Sequence, residues 1–118
     1  MTDSAHMKQA VENYIKAIST EDFDMIREIY ADNGTVEDPV GTPPHEGIDA
    51  IMKFYSALKG MGVKLELTGA IRCAGKAAAF PFQAKIGPVT MEVIDVFEFD
   101  DQGKVASMRA YWGAENRY

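Results

Sequence analysis

The stretch that decides the fold is "AAAFPFQAKIGPVTMEVIDVFEF", residues 77–99. Over residues 77–86 large apolar side chains recur at every second position, which is the pattern of a half-buried β-strand. A Gly-Pro pair then interrupts the run within residues 86–89, and the alternation resumes from Thr90 to Phe99. Because Gly and Pro together favour a tight turn, this stretch predicts a β-hairpin.

Further strands and a set of helices flank this hairpin. The segments "VKLELTG" (63–69) and "KVASMRAYW" (104–112) are predicted strands, the latter following a turn at "DDQG" (100–103). Apolar residues at helical spacing predict helices over residues 7–18, 19–31 and 47–58, with Ser19 and Thr20 as N-cap candidates for the second. Helices followed by strands predict an α+β fold, with three helices packed on a curved, mostly antiparallel sheet. With 118 residues, the chain is expected to form one domain, residues 1–118.

Composition excludes several classes of function. The formal net charge of -6 argues against a nucleic-acid partner or an anionic membrane surface, which would require a basic face. The polar start "MTDSAHMKQA" does not resemble a signal peptide, and no apolar run is long enough to span a bilayer, so we expect a soluble cytoplasmic protein. Two histidines and one cysteine leave little for histidine catalysis or a metal centre, so no metal is predicted.

One acid interrupts an apolar strand face. Side chains alternate along a strand, so Asp95 shares its face with Met91, Val93, Phe97 and Phe99. Burying an ionised carboxylate there would be costly, whereas a neutral acid could donate a hydrogen bond. The pattern equally allows a structural acid bonded to a backbone amide, an Arg or a Lys, and that role is the commoner of the two.

A second pair of acids lies in "TVEDPVG", residues 35–41. The residue before a proline favours extended backbone, so neighbouring side chains there face opposite sides. This alternation predicts that Asp38 points inward with Val36, while Glu37 faces solvent. An apolar cavity holding both Asp38 and Asp95 would favour different protonation states for the two carboxyls, and hence an acid and a base.

Aromatic residues complete the candidate site. Each predicted helix carries one tyrosine on its apolar stripe, namely Tyr14, Tyr30 and Tyr55, and buried hydroxyls can satisfy one another. Large side chains that share strand faces could line a cavity for a flat apolar ligand, although a plain core role is commoner. These residues are Phe80, Phe82, Met108, Ala110 and Trp112.

Four segments together resemble the bacterial delta-5-3-ketosteroid isomerases. They are "YIKAI", "YADNGTVEDPVG", "KFYSAL" and "VIDVFEFDDQGKVASMRAYWGAEN", in this order, from about Tyr14 to Asn116. The resemblance implies the cone-shaped fold of the nuclear transport factor 2-like superfamily, a steroid substrate and a homodimer. It also implies that Asp38 is the general base and that Tyr14 and protonated Asp95 form the oxyanion hole. Ketosteroid isomerase is itself the standard example of a carboxylic acid kept neutral so that it donates a hydrogen bond.

The resemblance also implies supporting roles and leaves alternatives. Tyr55 and Tyr30 would support Tyr14, and the steroid would contact Phe54, Phe82, Val93, Met108 and Trp112, to which the strand pattern adds Phe80 and Ala110. No cofactor is implied, because the ketone itself accepts the electrons. The outer sheet face, with Val105, Ser107, Arg109 and Tyr111, would be the dimer interface. The alternatives are a polyketide cyclase or dehydratase on the same fold, or a non-catalytic module that binds apolar ligands.

Overall fold

The helices and strands follow one another in the order that the sequence patterns predict, with three further short or irregular strands. The computed structural model describes residues 2–118. Its helices are α1 (Ser4–Thr20), α2 (Phe23–Ile29) and α3 (Ile48–Ser56), with a short 3-10 turn at Ala114–Asn116. Its strands are β1 (Tyr30–Glu37), β2 (His45–Glu46), β3 (Lys64–Leu67), β4 (Arg72–Ala74), β5 (Ala77–Ile86), β6 (Val89–Phe99) and β7 (Val105–Tyr111).

The strands form one curled sheet against which the helices pack. Its order is β2-β1-β7-β6-β5-β3, and β4 pairs with β5 beside β3. Strands β1 and β7 run parallel, whereas the other neighbouring strands of the described chain run antiparallel. The predicted class, α+β with three helices on a curved and mostly antiparallel sheet, is confirmed.

The central hairpin forms as the alternation predicts. Strands β5 and β6 pair without interruption from Ala77 opposite Glu98 to Ile86 opposite Val89. Gly87 has a positive φ of 57° at the first turn position, and Pro88 restricts the second position to negative φ. This combination is that of a type II′ turn, whose twist matches that of antiparallel strands.

The junction between the first two helices differs from the prediction. Asp22, rather than Ser19 or Thr20, caps α2, because its side chain accepts a hydrogen bond from the Met25 amide at 3.1 Å. The hydroxyls of Ser19 and Thr20 instead donate to carbonyls one turn earlier in α1, each at 2.8 Å. Glu21, with a φ of 56°, ends α1 between the two helices.

Strand β1 begins where the second helix was expected to continue. The predicted helix runs to residue 31, but α2 ends at Ile29 and the chain becomes extended. Pairing with β7 shifts between Tyr30 and Thr35, so residues 31–34 bulge from the ladder. Glycine at position 34 suits this bulge, because a Cβ would lie 3.1 Å from the carbonyl oxygens of Ala31 and Val105, which is closer than most such contacts. Beyond the bulge, β1 again pairs with β7, so the residues that follow Glu37 lie beside the end of β7.

The helices bury their apolar stripes on the inner sheet face. Fully buried side chains from both layers meet there, including Val11, Ile26, Ile51, Phe80 and Phe97. Val105, which was expected on the outer face, is also fully buried. The ladder steps from Glu98 opposite Ser107 to Phe99 opposite Val105, so Ala106 is an extra residue that reverses the parity of β7.

Candidate active site

A cavity of about 230 Å³ opens between the helices and the inner sheet face. Most of its wall is aliphatic or aromatic, and its polar groups are few. Its lining residues come from α1, α3, the turn after β1, and strands β3, β5 and β6 with the end of β7. They are Tyr14, Ile18, Asp38, Phe54, Tyr55, Leu58, Val63, Leu65, Phe82, Ala84, Ile86, Met91, Val93, Asp95 and Trp112. A mostly apolar cavity with a few convergent polar groups is the usual form of a small-molecule site.

Asp95 lies on the cavity wall in the middle of β6, and it is only 1% exposed. Within residues 2–118, neither of its carboxyl oxygens has a hydrogen-bond partner. The structural alternative, in which an amide, an Arg or a Lys binds this acid, therefore finds no support in the described chain. Burial raises the pKa of Asp95 well above its ordinary value, and the charge of Asp38 raises it further. A neutral Asp95 carries a proton that it can donate into the cavity.

Three tyrosines form a buried hydroxyl chain beside Asp95. The Tyr30 hydroxyl lies 2.6 Å from that of Tyr55, which lies 3.1 Å from that of Tyr14. Tyr14 and Tyr55 line the cavity, whereas Tyr30 lies behind Tyr55. When Tyr30 donates to Tyr55 and Tyr55 donates to Tyr14, the Tyr14 proton is free to point into the cavity. Burial, followed by the charge of Asp95, raises the pKa of Tyr14 well above its ordinary value, so this hydroxyl stays a donor.

Asp38 follows directly after β1 and lines the same cavity as Tyr14 and Asp95. The Trp112 indole Nε1 donates a hydrogen bond of 2.7 Å to Asp38 Oδ1. Burial raises the pKa of Asp38, while the Trp112 hydrogen bond and then the charge of His45 lower it. The adjacent Glu37 points away from the cavity and binds Arg109 and the Gly41 amide.

The two cavity acids therefore have unequal surroundings. Both are desolvated, but the charged form of Asp38 receives a donor from Trp112, whereas Asp95 receives none from residues 2–118. A donor to a carboxylate favours its ionised form, and burial without a donor favours the neutral form. These surroundings raise the pKa of Asp95 well above its ordinary value and that of Asp38 less strongly, so they favour the neutral form more at Asp95 than at Asp38.

The structure separates the predicted contact residues into two groups. Phe54, Phe82, Val93 and Trp112 line the cavity. Three other residues expected to contact the ligand are buried in the core and are not among its lining residues: Phe80, Met108 and Ala110. They share the inner face, but helices and neighbouring rings fill the space above them; the Phe80 ring, for example, packs against those of Tyr14 and Phe97.

The cavity wall also includes apolar residues that the sequence did not single out for binding. Most of them are partly exposed, so they belong to the more open part of the cavity, its mouth. They are Ile18, Leu58, Val63, Leu65, Ala84, Ile86 and Met91. For Leu65, Ala84 and Ile86, period-two alternation in β3 and β5 predicted the sheet face but not the depth.

Two further features bound the chemistry. Among residues 2–118, no three His, Cys, Asp or Glu side chains converge closely enough to hold a metal ion. In the same part of the chain, no helix is both long and apolar enough to cross a bilayer. The polar groups available for chemistry in the cavity are therefore the two carboxyls, the tyrosine hydroxyls and the Trp112 indole.

The fold and cavity together define a class of protein. Helices packed on a curled mixed sheet enclose an apolar cavity, which is the architecture of the nuclear transport factor 2-like superfamily. A family model for the SnoaL-like domain matches residues 11–108. The chain belongs to this SnoaL-like family.

Two relatives extend this assignment. The chain is 40% identical over 113 residues to the steroid Delta-isomerase of Nocardioides simplex, a match that covers 92% of this chain and 91% of that protein. This relationship supports an isomerase. Among solved structures, the chain is similar to one describing the epoxide hydrolase/cyclase-like enzyme SalBIII and its role in pyran ring formation in polyether salinomycin. That similarity has a TM-score of 0.91 and 30% identity, and it covers 99% of this chain and 98% of the other.

Proposed function

We propose that the protein moves the carbon–carbon double bond of a 3-oxo-delta-5-steroid into conjugation with the ketone. The observation that carries this proposal is the buried, unpartnered carboxyl of Asp95 beside Tyr14, in the same cavity as Asp38. Two neutral donors and one carboxylate in an apolar cavity suit a reaction in which negative charge develops on a carbonyl oxygen. The identity to a steroid Delta-isomerase supports a steroid as the substrate.

In the first step, Asp38 acts as the general base. Its carboxylate takes a proton from the carbon between the ketone and the double bond, and the electrons of that C–H bond form a dienolate. A carboxylate is a weak base toward carbon acids, so the step depends on stabilisation of the dienolate oxygen. Trp112 holds Asp38 through one oxygen and leaves the other free to accept the proton.

Tyr14 and Asp95 stabilise the dienolate oxygen by donating one hydrogen bond each. One such donor typically contributes about 3 kcal/mol to the transition state of an enzymatic reaction. The Tyr55 hydroxyl, with Tyr30 behind it, orients Tyr14 and polarises its hydroxyl. Because Asp95 is neutral, it stabilises the oxygen without repelling it.

In the second step, protonated Asp38 returns its proton to the far carbon of the dienolate. The C=O bond re-forms, the double bond comes to lie next to the carbonyl, and Asp38 is again a carboxylate. The ketone serves as the electron sink throughout, so the proposed reaction requires no cofactor. The apolar mouth formed by residues such as Leu65 and Met91 would hold the outer rings of the steroid.

The rise in ultraviolet absorbance of the conjugated enone tests this proposal. Purified protein is mixed with a delta-5-3-ketosteroid, and Asp38→Asn and Asp95→Ala are compared with the wild type. Rapid product formation by the wild type and near-complete loss in Asp38→Asn are expected. Asp95→Ala should lose about 10²–10³-fold in kcat, since it removes one oxyanion donor. Wild-type-like turnover by Asp38→Asn would refute the assigned base.

A cyclase is the second candidate function, and the similarity to SalBIII favours it. The same two acids could close a ring: Asp38 would take the proton of a substrate hydroxyl, whose oxygen attacks an epoxide carbon, while Asp95 protonates the oxygen that leaves. An apolar epoxy-alcohol and the steroid, assayed side by side, distinguish the two functions. Ring closure without enone formation would favour the cyclase. Ligand binding unaffected by Asp38→Asn, with no turnover of either compound, would indicate a binding module.

We also propose that the protein is a homodimer that covers the outer sheet face. Ile94 and Tyr111 are direct cross-strand partners there and are 49% and 43% exposed. Pro81, opposite Ile94 on β5, extends this apolar row. Light scattering after size-exclusion chromatography should give a dimer at micromolar concentration, and Ile94→Lys should give a monomer. A monomeric wild type at that concentration would contradict the proposal.

A further inference from the structure

Glu37 and Asp38 are neighbours, but only Asp38 has been given a role so far. Glu37 is the last residue of β1 and pairs with Arg109 on the parallel strand β7. Because adjacent side chains in a strand face opposite ways, Glu37 lies on the outer sheet face, while Val36 is buried. Glu37 is not among the residues that line the cavity. Any effect of its contacts on the substrate is therefore indirect.

The Glu37 carboxylate joins the sheet to the turn that carries Asp38. One oxygen accepts a hydrogen bond of 3.2 Å from Arg109 Nε, and the other accepts one of 2.8 Å from the Gly41 amide. Asp38 lies inside the loop that the Gly41 contact closes. These donors, the Gly41 amide foremost and then Arg109, lower the pKa of Glu37.

Strand β7 and the residue that follows it hold the same turn at two further points. The Val40 amide donates to the Ala110 carbonyl at 2.8 Å, and the Trp112 indole binds Asp38 itself at 2.7 Å. Three residues, Arg109, Ala110 and Trp112, therefore contact the segment from Glu37 to Gly41. Of these contacts, the one through Glu37 joins the end of β1, the tip of the turn and β7 through a single side chain.

We propose that Glu37 is a positioning residue. It fixes the turn so that the Asp38 carboxylate reaches both the carbon atom that loses the proton and the carbon atom that receives it. This inference rests on the isomerase function proposed above. A displacement of about 1 Å in a reacting group can cost about 10²-fold in rate. Asp38 must reach both carbon atoms from the same backbone turn. The reaction rate should therefore fall when that turn becomes more mobile.

The kinetic test compares Glu37→Ala with Glu37→Gln, and uses Glu46→Ala as a matched control. Glu46 is an exposed acid in β2 that pairs with Thr35, so it lies beside β1 on the same sheet face as Glu37. We expect Glu37→Ala to lower kcat by about 10- to 100-fold while KM stays within about threefold. Glu37→Gln keeps an acceptor oxygen for Gly41 and should recover most of kcat, and Glu46→Ala should match the wild type. A Glu37→Ala variant that melts at lower temperature but keeps the wild-type kcat would overturn the proposal.

A second measurement needs no turnover and so remains decisive if the protein is not a steroid isomerase. Trp112 is the single tryptophan and contacts Asp38, so its fluorescence should change as Asp38 titrates, and Asp38→Asn should remove that change. The other titratable groups that act on Asp38, or on which it acts, are His45, Tyr14, Tyr30 and Asp95.

The difference between the Asp38 midpoints of the two variants separates positioning from charge. Both variants lose the Glu37 charge, which moves the Asp38 midpoint to lower pH by the same amount in each. If Glu37 also fixes the turn, Glu37→Ala alone weakens the Trp112 hydrogen bond, so its Asp38 midpoint should lie at higher pH than that of Glu37→Gln. Equal midpoints in the two variants would overturn the proposal.

Discussion

Replacing Asp95 with asparagine should change how the stability of the protein depends on pH. In the folded protein, burial and then the charge of Asp38 raise the pKa of Asp95. Above the unfolded value of about 3.9, the unfolded chain therefore releases a proton that the folded protein keeps. Ionisation of the unfolded state then favours unfolding, so the contribution of Asp95 is complete below the unfolded pKa and is lost as the pH rises through the folded pKa.

The magnitude follows from this linkage. One proton retained by the folded state alone lowers the free energy of unfolding by about 1.4 kcal/mol for each pH unit between the two pKa values. The side-chain amide of the Asp95→Asn variant has no such proton, so the stability of this variant relative to the wild type should increase at up to that slope. The slope is independent of any fixed cost of burying the amide, because that cost does not vary with pH.

Urea unfolding at fixed protein concentration, from about pH 5 to about pH 8, measures this slope. Asp49→Asn, at an exposed position in the first turn of α3, controls for the chemistry of the substitution. Wild type and Asp95→Asn with parallel stability curves over this interval would show that Asp95 is ionised in the folded protein. That result would remove the neutral donor on which the proposed oxyanion hole depends.

Three further predictions concern single side chains. Tyr14→Phe removes the other oxyanion donor and should lower kcat about 10²–10³-fold in the enone assay; a loss below about tenfold would contradict its role. Trp112→Phe removes a donor to the Asp38 carboxylate, which raises the pKa of Asp38, so the acidic limb of the pH profile of kcat/KM should move to higher pH; an unmoved limb would contradict this assignment. Phe97→Ala empties a fully buried position packed against Tyr14 and Phe80 and should cost about 3–5 kcal/mol in urea unfolding, whereas a cost below about 1 kcal/mol would show that the core closes over the gap.

The sequence predicted best those elements whose period is uninterrupted. Strand β5 has the predicted bounds, residues 77–86. Its alternation is regular, because every second residue from Ala78 to Ala84 is buried. Strand β1 was missed because "ADNG" has the composition of a turn, and the strand carries it as a bulge that depends on pairing with β7. Since β7 lies far along the chain, no local pattern could reveal that pairing. The same limit applies to Val105, whose parity depends on the bulge at Ala106.

Strand parity predicted the direction of the site residues better than their depth. It placed Asp95 on the apolar face and Asp38 on the side of Val36, and the structure has both carboxyls at one cavity. It could not separate Phe82, which lines the cavity, from Phe80, which lies two residues away on the same face within the core. That distinction depends on which part of the sheet the helices cover, a property of tertiary packing that strand alternation does not record.

The different states of the two acids follow from their places in the sheet. Strand β6 is internal, so the backbone amides on either side of Asp95 are engaged in ladders with β5 and β7, and its paired residues are Phe80 and Ala110, which have no polar side-chain atoms. A carboxyl in such a position finds no donor, and retention of its proton is the least costly response. Asp38 instead lies in the turn beyond the end of β1, where the Trp112 indole can approach its side chain. The fold thus favours the neutral form of Asp95, which lies within a ladder, and the ionised form of Asp38, which lies just beyond one; the proposed roles of donor and base rest on this difference.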